Sequence, residues 1–300
     1  MTQFQLVQNY TNLTMHMINH LVKKIEQKQF RIYSLAIMDS EGIQESRIHP
    51  ADLATNSYSV AKAFTMTAIG MLWDQGRIRV EDSVYEILQD EFPEGFDLGW
   101  KEVTVEHLLT HKVGFGRGFL DIDVEDISEY PSDDFQKIVL LEPLVHTPGT
   151  KYVYTDAAYY LLSRIVTKIS GQRLDDFLRP MLFKVMGFQE LAWSTCPSGY
   201  CMGATGIYIR TRDMVKLGYV YANGGCYFGE RIVSSDWVQL VLERGYEFKP
   251  YGDTGIYSKG GMYGQMLAFI PEQHIACAWH GYETEKNVRE LFELCKLRGP

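Results

Sequence analysis

Apolar residues recur along this chain at two periods, and the switches between them outline a fold. From Phe4 to Lys28 they fall at helical intervals and predict a first helix. "RIYSLAIM", Arg31 to Met38, reads as a strand, and the turn "DSEG" leads to a second short strand near Ile43 to Ile48. Ser59 to Gln75 predicts a helix that stops at Gly76. From there to about Gly187 the signals are mainly helical: "VTVEHLLTH" with Thr104 as N-cap, "DAAYYLLSRIVTKISG" from near Asp156 to Gly171, and "RLDDFLRPMLFKVMG".

The texture changes after about residue 200. "TGIYIRTRDMVKLGYVYANGG" reads as a short strand, a helix and a glycine turn, and "SSDWVQLVLERG" as a short helix. "GGMYGQMLAFIPEQHIACAWHG" reads as two strands joined around Pro271 and Glu272, and "ETEKNVRELFELCKL" as a terminal helix. Strands at both ends and helices between them imply an α+β chain. Residues 1–55 and 200–300 would share one sheet flanked by helices, and residues 56–199 would form an inserted, mainly helical subdomain.

Composition narrows the function. The 300 residues are 46% hydrophobic with a formal net charge of -9, and the longest Lys/Arg run is Lys23-Lys24, so a nucleic-acid partner is not expected. The N-terminal stretch has no basic leader, and His16, Asn19 and His20 interrupt its apolar residues. Neither a secretory signal nor a membrane span is expected there. Five cysteines without close pairing fit a reducing, cytoplasmic setting. His107 and His111 share the i, i+4 spacing of two ligands on a helix face, but no third ligand accompanies them, so no metal is expected.

The candidate chemistry begins with Ser59 and Lys62, three residues apart in an apolar segment. On a helix they are neighbours, and a lysine can relay the proton that a serine must lose to become a nucleophile. A capping serine and a lysine with its amine reaching solvent is the bland alternative. Tyr154-Thr155-Asp156 stands at a loop-to-helix junction, where a tyrosine between two cations could share that proton, or where Asp156 could merely cap the helix. Lys259-Gly260-Gly261 lies in a glycine-rich strand, of the kind that lets backbone approach a ligand closely.

These three features, in this order, resemble the serine β-lactamase-like family of class C β-lactamases, penicillin-binding D,D-peptidases and related esterases and amidases. Its S-x-x-K, Y-x-N and K-T-G motifs look like Ser59-Val60-Ala61-Lys62, Tyr154-Thr155-Asp156 and Lys259-Gly260-Gly261, and the likeness runs over about residues 30 to 295. The resemblance implies an antiparallel sheet with helices on both faces and an active site between it and the helical region. It implies acyl transfer without a cofactor: Ser59 as nucleophile, Lys62 and Tyr154 moving protons, and N–H groups of Ser59 and near Met262 holding the oxyanion.

Two departures shape the substrate. Asp156 replaces an amide that donates, and could pair with Lys62 or accept from a substrate amine. The third motif lacks its threonine, and a second alignment matches Gly261 and Gly264-Gln265 to a "GxxGQ" form, leaving Lys259 either catalytic or a solvated strand residue. Asp156, Lys259, Gly261 and Met262 are the expected substrate-binding positions, and "GFGRG", Gly114 to Gly118, borders the cleft. The expected activity is a serine hydrolase for a small ester, amide or short peptide. A β-lactamase or D,D-peptidase, or a non-catalytic peptide or β-lactam sensor, are the alternatives.

Overall fold

The computed structural model describes residues 3–292, with side chains from residue 14 onward. It opens on α1 (Gln3–Lys28), followed by the hairpin of β1 (Ile32–Asp39) and β2 (Gly42–Arg47). After β3 (Ala54–Asn56), a single 3-10 turn at Tyr58–Val60 feeds α2 (Ala61–Asp74). Then come α3 (Val84–Leu88), α4 (Val105–Leu109), α5 (Phe135–Leu141), α6 (Asp156–Ser170) and α7 (Leu174–Leu178). The C-terminal part holds β4 (Leu191–Trp193), β5 (Ile207–Arg210), α8 (Thr211–Ala222), β6 (Cys226–Tyr227), β7 (Glu230–Arg231) and α9 (Ser235–Arg244). It ends with β8 (Lys249–Pro250), β9 (Tyr257–Gly260), β10 (Met266–Ile270) and β11 (Ile275–Gly281). Among the described residues no helix is long and apolar enough to cross a membrane.

The main sheet runs β2-β1-β11-β10-β9-β8 with every pair antiparallel, so β1 and β11 join the two ends of the chain at its centre. Side chains alternate between faces with period two. Leu35, Ile37, Met266, Ala268, Cys277 and Trp279 pack beneath Leu21 and Ile25 of α1. Ala36, Met38, Leu267, Phe269, Ala276 and Ala278 turn to the opposite core with α8 and the helical region. Because both faces are covered, β10 and β11 are buried throughout and read as apolar runs rather than as alternation. A small sheet, β3-β5-β4, ties the entrance of α2 to the later chain.

α2 is apolar all round and buried from Ala61 to Leu72, as such helices are. Gly76, at φ 67°, closes it by donating to the Trp73 carbonyl. Thr104 caps α4 by accepting from the His107 N–H, and its own N–H donates to His107 Nδ1, so His107 plays the part usually taken by a glutamate. The expected helix over "RLDDFLRPMLFKVMG" is corrected: α7 passes into a π turn at Arg179–Phe183, because Pro180 has no N–H for the α ladder. The expected terminal helix is described only as a 3-10 turn, Val288–Leu291, and its remainder lies outside the described residues.

Candidate active site

Ser59 sits in the 3-10 turn ahead of α2 rather than within the α-helix. The turn is anchored ahead of Ser59. Tyr58 takes a left-handed φ of 47° and donates its N–H to Asn56 Oδ1, while the buried Ser57 hydroxyl lies 2.9 Å from His280 Nε2. One turn on, Lys62 is fully buried, and its ammonium donates to Asp156 Oδ1 at 2.7 Å, the Ala204 carbonyl at 3.0 Å and Ser59 Oγ at 3.1 Å. These are all three protons an ammonium carries. Burial alone would push Lys62 down, but the Asp156 carboxylate and further anions outweigh it and hold the ammonium charged.

Tyr154 and Asp156 flank the start of α6. Thr155 is the N-cap, accepting from the Ala157 N–H, so the reading of Asp156 as a helix cap gives way to an ion pair with Lys62. Tyr154 Oη lies 2.8 Å from Ser59 Oγ, and the Lys62 ammonium stands 4.7 Å from the centre of the tyrosine ring.

Lys259 completes the cluster. It is buried, which removes the solvated-strand alternative. Paired across the ladder with Leu267, it faces the helical side of the sheet, where it salt-bridges Glu247 and stands 3.4 Å from Tyr154 Oη. Glu247 Oε1 is 2.9 Å from His111 Nε2, while the Thr155 N–H donates to His111 Nδ1 at 3.3 Å. With Nδ1 accepting, the proton sits on Nε2 and the neutral ring donates to Glu247. Burial pushes His111 below its ordinary value in keeping with this form. Burial would raise Glu247, but Lys259 and His111 more than offset it and hold the carboxyl well below its usual range. The His111 ring also packs on Tyr154, with centroids 4.6 Å apart.

His107 and His111 therefore do not form a ligand pair on one helix face. α4 ends at Leu109, His111 follows it at φ 55°, and each ring has its own partner, Thr104 or Glu247. Asp121, Asp123 and Asp156 bring carboxylate oxygens within 4.8 Å of one another. Asp156 is spent on Lys62 and Asp123 on Thr205 and Asn56, and we assign no ion there.

The third motif meets the Ser59 turn through its backbone. A Cβ on Gly261 would overlap the Ser57 carbonyl oxygen, so only glycine lets this strand end close on that turn. Met262 follows in a 3-10 turn beside it. Gln265, the end of the "GxxGQ" alternative, is buried and clamps Gly281 through both its amide atoms. Gly118 of "GFGRG" abuts the Tyr154 carbonyl. A cleft of about 430 Å³ beside Tyr154 is lined by Tyr152, Tyr154, Glu247, Lys259 and Gly261; neither Ser59 nor the "GFGRG" loop is among its lining residues, so the expected bordering of the cleft by that loop is not what the structure shows. Glu247 and His280 escaped the sequence reading. Glu247 stands in "GYEFKP", with no motif around it, and His280 in an apolar strand.

The family model described as Beta-lactamase matches residues 22–280. A provisionally named D-alanyl-D-alanine carboxypeptidase of Escherichia coli O157:H7 is 24% identical over 238 residues, covering 75% of this chain and 48% of that protein. The chain spans about half the length of such curated relatives. Among solved structures, a provisionally named 6-aminohexanoate-dimer hydrolase from Bacillus anthracis superposes with TM-score 0.77 at 17% identity, covering 90% of this chain and 79% of that one. A family VIII carboxylesterase superposes with TM-score 0.74 at 15% identity, covering 93% and 96%. At these identities the superpositions establish the fold alone.

Proposed function

This chain belongs to the beta-lactamase family, and from that premise we propose that it is a serine hydrolase acting through an acyl-enzyme on a small ester, amide or short peptide. The observation that carries the reading is the convergence on Ser59 Oγ of Tyr154 Oη at 2.8 Å and Lys62 Nζ at 3.1 Å.

Lys62 is a poor candidate for the base. Its ammonium is held charged, and each of its protons already has an acceptor. Tyr154, reacting as the phenolate, therefore takes the proton as Ser59 Oγ bonds to the substrate carbonyl carbon and the carbonyl π electrons move to the oxygen. The N–H groups of Ser59 and Met262 receive the oxyanion. Tyr154 returns the proton to the leaving oxygen or nitrogen as its bond to that carbon breaks. Water then repeats the sequence, giving its proton to Tyr154 and releasing the acid, while Ser59 recovers its hydrogen. Asp156 cannot donate to a substrate carbonyl as an asparagine would, which favours a simple ester or an amine-bearing substrate over a β-lactam.

Intact mass spectrometry after brief exposure to a fluorophosphonate, and separately to a penicillin, tests this. We expect one phosphonate adduct, absent in Ser59→Ala, and no lasting penicillin adduct. A stable penicillin adduct would move the assignment to a D,D-peptidase or sensor, and rapid penicillin hydrolysis to a β-lactamase. Absence of a phosphonate adduct on the folded protein would overturn the hydrolase reading.

A further inference from the structure

Both ammonium groups beside Tyr154 are held from behind by a buried carboxylate: Lys62 by Asp156 and Lys259 by Glu247. Glu247 lies outside every motif, follows α9 in a short connection to β8, and is only 3% exposed. Its two oxygens serve two residues that both touch Tyr154, Lys259 at the phenol oxygen and His111 against the ring.

We propose that Glu247 is a positioning residue for the proton transfer at Tyr154: it holds Lys259 beside Tyr154 Oη and fixes His111, donating from Nε2, against the ring. The proposal rests on the serine hydrolase reading above.

A purely structural role explains the site less well. A buried ion pair is often no more stabilising than apolar packing of the same shape, so its presence at the cleft calls for another reason. The geometry supplies one. Lys259 would be left with a single weak contact, 3.4 Å to Tyr154, and would sit among other cations. The charged and titratable groups facing Glu247 are Lys62 of α2, His111 after α4, Tyr159 of α6, Lys249 of β8 and Lys259 of β9, with Tyr152 and Tyr154 before α6. Three of these are lysines. Removing the carboxylate that pairs with Lys259 leaves that side chain unanchored among the other cations and free to leave Tyr154 Oη. His111 would at the same time be free to swing off the ring.

The rate at which a fluorophosphonate modifies Ser59, followed across pH, reads this without knowledge of the natural substrate. The variants are Glu247→Gln, Lys259→Gln and the double variant, each confirmed folded by its thermal transition. Glutamine still accepts from His111 but carries no charge. Glu247→Gln should slow modification roughly 10-fold, a fraction of what a positioned acid or base commonly supplies, and should change the pH dependence of the rate. The double variant should be no slower than Lys259→Gln, because Glu247 acts through that lysine. Should Glu247→Gln fail to fold, Lys259→Gln decides: an unchanged rate and pH profile would overturn the proposal. Wild-type and Glu247→Gln proteins modified at equal rates with the same profile would refute this role and leave the hydrolase reading standing. An unmodified wild-type protein would refute both.

Discussion

Lys62 shows how one residue can be at once expensive and necessary. Its ammonium is fully buried, and Asp156 is its only anionic hydrogen-bond partner. Asp156→Asn would restore the family's usual amide, keep an acceptor for Lys62 and delete the countercharge. Removing one partner of a buried pair costs about 3–5 kcal/mol, and the retained acceptor puts the expected loss near ~3 kcal/mol. Because the Lys62 value is raised, its contribution is complete below its unfolded value of 10.5 and fades only as pH climbs through the folded one. The deficit should therefore stay level between about pH 7 and 9 in urea unfolding. A deficit under about 1 kcal/mol would mean that Asp156 is not the group that holds the charge. At this scale spacing brought Ser59 and Lys62 together in the sequence, because they are local neighbours on one turn. It could not disclose Glu247, whose contacts are with Lys259, twelve residues on, and His111, 136 residues earlier.

Strands and turns fix where those residues meet. β11 carries His280 into the helical-side core, where its ring joins the Thr211 hydroxyl at 2.7 Å to the Ser57 hydroxyl, two residues before Ser59. Burial pushes His280 from 6.5 down to about 3. The unfolded chain then binds a proton that the folded one refuses, so stability is full above about pH 6.5 and falls with pH toward about 3. One such group adds up to ~1.4 kcal/mol per pH unit to the slope. His111 and His107 are also lowered and share that window, so the test is a difference. His280→Gln should flatten the fall in unfolding free energy between about pH 6 and 5 by nearly that amount, and equal slopes would show that His280 does not stay neutral. Apolar runs bounded by turn residues made β1, β10, β11 and α2 legible, because elements covered on more than one side keep few polar positions. The π turn at Pro180 and the 3-10 turn at Ser59 were not, since both are set by backbone hydrogen bonding within an otherwise helical pattern.

The whole molecule separates what stabilises the sheet from what lines the cleft. One core lies between α1 and the sheet, and the other between the sheet, α8 and the helical region. Period-two alternation keeps them apart: Leu35, Ile37 and Trp279 serve the first, while Lys259, paired with the second-core residue Leu267, looks toward Tyr154. Leu21 of α1 is fully buried in the first core. Leu21→Ala should cost about 3 kcal/mol, the usual price of an unfilled leucine site. Against a typical stability of about 5–15 kcal/mol, such a loss leaves the protein almost wholly folded at room temperature. The prediction is therefore a split result: a clearly lower urea midpoint, and an unchanged rate of fluorophosphonate modification at Ser59 in buffer. If that rate falls together with the midpoint, the sheet transmits packing from one face to the other, and α1 belongs to the machinery that holds Lys259 against Tyr154.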